Sequence, residues 1–256
     1  MNQLMKKMFF FFMLFLIGGC ANKELQEKKL LGKGFVYLSH VDQTIIENTR
    51  YATEQNFTGK RVPGYEKKRI ICTQKAAEQL KKANSIFKQY GYKLVVYDGY
   101  RPQKAVDSFR VWGEKISDDS MKKYYYPTLQ KKDLFNLGYI DTQKSSHSRG
   151  STFDVTIIEV KKNVKPIVIR KRQLKNGDQF SYFDDNTVDM GSSFDLFHQA
   201  SNHDSPLISL SYAEKRNLLR KVMKKAGFDS LQKKWWSYTL QNEPYPDTYF
   251  DFDLVE

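Results

Sequence analysis

Apolar residues at Ala76, Leu80, Ala83, Phe87 and Tyr90 recur at spacings of four and three. That is the period of a helix with one buried face, and it predicts a helix over about residues 73–90. Thr73 stands where it can cap this helix, and Gly91 where a helix stops. "KLVVYD" (93–98) reads as a strand broken by "GYRP", and "FVYLSHV" (35–41) as an earlier one. A second amphipathic helix is predicted from about Lys104, with Ala105, Phe109, Trp112 and Ile116 on one face. In "FDVTIIEV" (153–160), Phe153, Val155 and Ile157 face one way and Asp154, Thr156 and Ile158 the other. "KPIVIRKR" (165–172) is expected to pair with that strand. Ser211 and Glu214 form a capping-box pattern ahead of Leu218, Val222 and Ala226, Gly227 ends that helix, and "WWSYTL" (235–240) is the last strand. Residues 117–144 are polar and irregular, and residues 173–210 read as a long loop of the kind that often carries function. Short strands with uneven connections predict an α+β fold, a mainly antiparallel sheet covered by helices.

The first residues change the picture of where this domain works. "MNQLMKKM" carries Lys6 and Lys7, followed by the apolar run "FFFFMLFLIGG" and then Cys20. The run is short for a bilayer span and ends in small residues, the pattern of a processed signal peptide. "LIGGC" resembles the lipobox of bacterial lipoproteins, which implies lipidation of Cys20. The expected organisation is a signal peptide over 1–19, a lipidated, lysine-rich tether over 20–33, and one domain over 34–256. The expected location is the cell envelope, anchored to the membrane through Cys20 and facing the periplasm or the exterior. The formal charge is +13, and loss of Lys6 and Lys7 with the signal leaves +11. A chain addressed out of the cytoplasm has no nucleic-acid partner to spend that charge on. Anionic headgroups, wall polymers and acidic substrates are the better partners. With Cys20 lipidated, Cys72 is alone, so there is no disulfide framework, and "RIICTQ" around it suggests a buried thiol.

Three clusters carry possible chemistry. His147 and Asp154 in "SSHSRGSTFD" (145–154) are two residues of zinc-binding type. Taken alone, a loop histidine is more often a surface residue, and an aspartate near a strand start more often a turn or capping group. Asp98 and Arg101 in "VYDGYRP" (96–102) form either a clamp for a carboxylate or oxyanion or a structural turn pair. "DMGSSFDLF" (189–197) reads as a tight, self-bonded structural loop and pocket wall.

In this order the segments resemble the D-alanyl-D-alanine dipeptidases linked to vancomycin resistance, within the zinc D,D-peptidases. The matching stretches are "RYATEQNFTG" (50–59), "YDGYRP" (97–102), "SSHSRGSTFD" (145–154), "DMGSSFD" (189–195), "GF" (227–228), "WWSYTL" (235–240) and "EPYPDTYFDF" (243–252). The family pattern Ser-x-His-x-x-Gly-x-Ala-x-Asp fits residues 145–154, with Thr152 in place of the alanine. The resemblance implies a hydrolase of cell-wall (peptidoglycan) metabolism, a zinc metallopeptidase that cleaves D-Ala-D-Ala. It implies His147 and Asp154 as zinc ligands, Arg101 as transition-state stabiliser, and Asp98 and Ser145 as substrate-binding residues. It also implies a Glu-Trp-Trp-His motif that supplies the general base and the third ligand.

Here the chain reads "KKWWSY", which puts Lys234 at the glutamate position and Ser237 at the histidine position. A protonated lysine has no lone pair to accept a proton, and a serine hydroxyl is a poorer zinc ligand than imidazole. Three functions follow from the residues. The first is a dipeptidase that works through substitute groups such as His198, His203 or Glu243, the two histidines being expected as exposed loop imidazoles. The second is a lipoprotein that binds D-Ala-ended dipeptides or muropeptides without cutting them. The third is a structural lipoprotein that keeps only the fold.

Overall fold

A computed structural model describes residues 31–141 and 143–254. In chain order the elements are β1 (Phe35–Tyr37), α1 (Leu38–Val41), β2 (Ile46–Glu47), β3 (Ile71–Thr73), α2 (Gln74–Gln89), β4 (Tyr92–Asp98) and α3 (Gln103–Glu114). They continue with α4 (Lys122–Tyr125), α5 (Lys131–Asn136), β5 (Thr152–Glu159), β6 (Val168–Gln173), β7 (Gln179–Asp184), α6 (Leu210–Lys225), β8 (Phe228–Ser230) and β9 (Ser237–Leu240). The main sheet has the order β2-β4-β5-β9-β8. Only the β2–β4 pair is parallel; the other three pairs are antiparallel. The fold is therefore the expected α+β arrangement.

Strand β5 is the centre of the sheet, with Thr152–Ile158 buried on both faces. That is why its alternation of polar and apolar residues does not mark a solvent face. Helix α2 starts where expected, Thr73 Oγ1 accepting from the Ala76 amide. Its apolar stripe of Ala76, Leu80, Ala83 and Phe87 is buried against β4 and against α6. Elsewhere a dense set of aromatic rings fills the core. Phe57 lies edge-on to Trp112 and Phe197, and Tyr97 stacks on Phe194 at 4.7 Å.

The structure corrects five local expectations. "KPIVIRKR" does not pair with β5: β4 runs along one edge of that strand, and on the other β9 pairs with Thr152–Asp154, the Trp236 carbonyl accepts from the Val155 amide, and the Val188 amide donates to the Ile157 carbonyl. It forms instead a separate hairpin, β6 with β7, in the register Val168↔Asp184 to Gln173↔Gln179. Asn176-Gly177 turns that hairpin, with Gly177 at φ +91°, so part of the expected long loop is a strand. Strand β1 stops at Tyr37 and the chain turns into α1. Ile116 lies beyond the end of α3 and is 74% exposed. The capping box does not form: α6 begins at Leu210, and the hydroxyl of its N-cap residue Ser209 bonds the Ser211 hydroxyl instead.

The signal peptide (1–19) and Cys20 lie outside the described residues. At the far end of the expected tether, Leu31 is buried and the Lys33 carbonyl accepts from the Tyr245 hydroxyl, so packing begins just before residue 34. Among the described residues no helix is long and apolar enough to cross a membrane. Cys72 is a free, buried thiol, as its neighbours suggested.

Gly150 closes the turn between His147 and β5 at φ +79°, where a Cβ would collide with the Phe35 ring. Gly150→Ala should lower the thermal midpoint by roughly 4 °C or more, through left-handed strain and the clash together. A circular-dichroism melt of the variant against the native chain measures it.

Candidate functional site

Backbone register assembles the centre. Asp98 of β4 pairs with Asp154 of β5, and Asp154 pairs in turn with Ser237 of β9. Partners across antiparallel strands share a face, so these three side chains form one row across the sheet. A register shift between Val96 and Asp98 re-aims the end of β4 and puts Asp98 into the row.

His147 comes from a 3-10 turn, Ser146–Arg149, just before β5. The Ser145 hydroxyl accepts from the His147 amide at 3.4 Å and caps the turn. His147 Nδ1 lies 2.9 Å from the Gly99 carbonyl, an arrangement in which Nδ1–H donates and Nε2 is left facing Asp154 Oδ1 at 3.4 Å. Arg101 Nη2 donates to Asp98 Oδ2 at 2.7 Å and lies 3.6 Å from Asp154 Oδ2. The guanidinium lies against the Tyr51 and Phe109 rings, at 4.9 and 5.3 Å from their centroids, and the two rings pack on each other at 5.4 Å. The Tyr65 hydroxyl donates to the other Asp98 oxygen at 2.7 Å. Asp98, His147 and Asp154 thus offer donor atoms all within 4.8 Å of one another.

Lys234 and Ser237 flank the tryptophan pair, as the motif spacing required. A turn held by the bond from the Ser237 amide to the Lys234 carbonyl delivers Ser237 to β9. The charge of Lys234 acts on both Asp154 and Asp195. Burial pushes Asp154 upward, but the adjoining His147, Arg101 and Lys234 outweigh it and hold this carboxyl below its ordinary pKa. Asp195 goes the other way: burial, reinforced by the Asp154 charge, pushes it up to about 7.

Reading the sequence missed three residues here. Tyr51 donates to Asp195 Oδ2 at 2.8 Å, Tyr65 holds Asp98, and Asp195 belongs to the cavity rather than only to its wall. Tyr51 and Asp195 lay inside quoted motifs, so the signal was present; Tyr65 lay in none. Asp195 has φ +59°, a left-handed conformation that aspartate tolerates. Its loop is fixed from α6 by Arg216, which donates to the carbonyls of Met190, Asn202 and Ala200 and to the Ser192 hydroxyl. Trp235 Nε1 donates to the same hydroxyl at 3.0 Å.

The substitute groups do not reach the centre. His198 Nδ1 accepts from the Ala200 amide, His203 Nε2 is 3.2 Å from the Tyr238 hydroxyl, and Glu243 is bound by Arg149. Both histidines are buried, 8% and 1% exposed, rather than exposed loop residues.

Such a row, with a histidine and an arginine closing on it, is the layout of a metallopeptidase-type hydrolase centre. The profile of a family described as D-ala-D-ala dipeptidase matches residues 32–165 and 182–255. The chain belongs to that family, whose members are zinc-dependent. It is 40% identical over 219 residues to the D-alanyl-D-alanine dipeptidase of Enterococcus faecalis, covering 86% of this chain and 97% of that one. It is 37% identical over 221 residues to the enzyme of that name from Enterococcus faecium (86% and 98%). For the Escherichia coli relative of that name the identity is 28% over 198 residues (77% and 80%). The unmatched stretch between the two profile segments contains most of the β6–β7 hairpin.

Burial, and after it the charges of Arg220 and Arg216, push the His203 imidazole down from 6.5 to about 4. The unfolded chain therefore takes up this proton at higher pH than the folded one. Stability is present above pH 6.5 and is lost as pH falls from about 6.5 towards 4. Thermal midpoints measured across that window should fall steeply for the native chain and less steeply for His203→Gln.

Proposed function

We propose that this chain acts on the dipeptide D-Ala-D-Ala in peptidoglycan metabolism, as a dipeptidase whose hydrolytic step is slow. The row of Asp98, Asp154 and Ser237 beside His147 and Arg101 carries this reading. It supports family-like substrate handling together with the loss of two reactive side chains. "LIGGC" supports a location at the cell envelope, with Cys20 lipidated as the anchor and the domain outside the cytoplasm.

Arg101 is rigid and charged. Its bonds to Asp98 and its packing against the Tyr51 and Phe109 rings leave it preorganised, so it can bind a carboxylate or a developing oxyanion without reorganising. Asp98 acts as its anchor, and Ser145 fixes the turn that bears His147. Hydrolysis also needs an acceptor for the proton of the attacking water. Lys234 offers a donor in that place.

The donor set for zinc is incomplete. Asp154 Oδ1 is buried and accepts no hydrogen bond, and His147 Nε2 faces it. These two atoms suit a zinc ion, and the His147–Gly99 bond is the outer support such a ligand needs. A catalytic zinc takes three protein ligands. Asp98 is committed to Tyr65 and Arg101, and Ser237 brings only a neutral hydroxyl. The residues present therefore do not make a zinc site of the family's kind.

Restoring both side chains should restore the rate. The full chain and its Lys234→Glu plus Ser237→His double variant are compared for D-Ala-D-Ala binding by calorimetry and for turnover by release of D-alanine with added zinc. Both should bind the dipeptide, and the double variant should turn it over at least about 100-fold faster, the scale of a general base. Equal turnover would refute the role given to the two substitutions. No dipeptide binding by either protein would refute the substrate.

A further inference from the structure

Between Val160 and Gly177 the chain carries seven lysines and arginines and no acid. Residues 166–181 of this region, with most of the β6–β7 hairpin, fall outside the family profile. Three of the seven cations meet an acid: Lys162 at Glu159, Arg170 at Asp184 and Arg172 at Asp189. Lys171 meets none, and among the described residues no hydrogen bond reaches its side chain. It pairs with Ser181 across the hairpin, so the two side chains share a face. That face lines a groove of about 510 Å³ together with Lys122 and Lys123 of α4. The two walls are fixed to each other. Phe183 packs edge-on against Tyr125 at 5.2 Å, and the Ser181 hydroxyl donates to the Lys123 carbonyl at 3.3 Å. Asp119 is the one acid lining the groove, 3.9 Å from Lys122. Lys123 lies over the Tyr124 ring at 4.7 Å and meets no carboxylate among the described residues. Three ammonium groups against one carboxylate leave the groove positive, with cations on both walls.

We propose that this groove binds a linear polyanion bearing phosphate groups, laid between α4 and the hairpin. Shape decides against a bilayer. Lipid headgroups form a plane, and cations on facing walls of a groove do not all reach it, whereas a chain lying inside meets both walls. Lysine holds phosphate as a point charge and sets no fixed geometry, which suits a flexible polymer gripped at several places. Gln179 and Ser181 add neutral donors on the hairpin wall. The proposed location outside the cytoplasm makes the partner a phosphodiester polymer of the envelope rather than a nucleic acid. The groove contains none of the residues of the Asp98–Asp154–Ser237 row, so the proposal does not rest on the dipeptide reading.

The experiment is fluorescence anisotropy of end-labelled linear polyphosphate titrated with the full chain. Binding should be present at low salt and fall steeply as salt is added. Replacing Lys122, Lys123 and Lys171 together by glutamine should weaken it about tenfold or more. Replacing Lys81, Lys82 and Lys224 by glutamine removes the same charge from exposed positions on α2 and α6, and should weaken it less than about threefold. Equal weakening by the two triple variants would overturn the proposal, because the charge of the whole molecule would then be the cause. Absence of polyphosphate binding by the native chain would overturn it as well. Phosphatidylglycerol vesicles form a second arm. If the groove variant loses sedimentation with vesicles yet keeps polyphosphate binding, the lysines serve a membrane and the proposal fails. If a melt shows the groove variant unfolded, Lys171→Glu alone takes its place, with a weakening of about threefold or more expected and no weakening overturning the proposal. D-Ala-D-Ala binding is measured on the same proteins: its absence from the native chain counts against the proposed substrate and leaves the groove standing.

Discussion

Asp98 and Arg101 meet at the end of β4 in a bond of 2.7 Å that is almost entirely out of water. Neither partner could be buried alone, since an isolated ion in a protein interior costs several kcal/mol. Their union fixes the guanidinium against Tyr51 and Phe109, orders the "GYRP" bend into α3, and sets one end of the row along which His147, Asp154 and Ser237 are placed. Tyr65 completes Asp98 from the other side. With Asp98 satisfied by Arg101 and Tyr65, Asp154 is the carboxylate of the row that keeps an oxygen with no hydrogen bond.

The surrounding sheet makes that placement unique. A strand slipped by one residue would send its side chains to the opposite face. Because β5 is buried on both faces and clasped on both edges, it cannot slip. Asp154 is therefore held between Asp98 and Ser237 by main-chain pairing, which does not depend on what any of the three side chains does.

Much of this was legible in the residues. The period of Ala76, Leu80, Ala83 and Phe87 gave α2 almost to the residue, and the strand expected at Trp235–Leu240 is β9, which sets Ser237 across from Asp154. What failed has physical causes. Strand partners depend on which edges are free, and nothing near "KPIVIRKR" shows how the edges of β5 are taken. Ser211 and Glu214 had the right spacing for a box, but the N-cap hydroxyl found a nearer partner. Asp195 looked like a turn residue because its short-range signals are those of a turn; its burial beside Asp154 is a long-range fact. His198 and His203 look polar and exposed in a loop, yet folding covers both.

The Ser192 hydroxyl stands where Arg216 of α6 and the Trp235 indole converge, and it touches Ser201 as well. Through this one oxygen the helix, the loop bearing Asp195 and the turn bearing Lys234 are pinned to a common point. The two walls of the cavity are thus mechanically joined behind it. A disturbance in a helix that touches no ligand would reach both walls together, widening or narrowing the cleft as a unit rather than loosening one side.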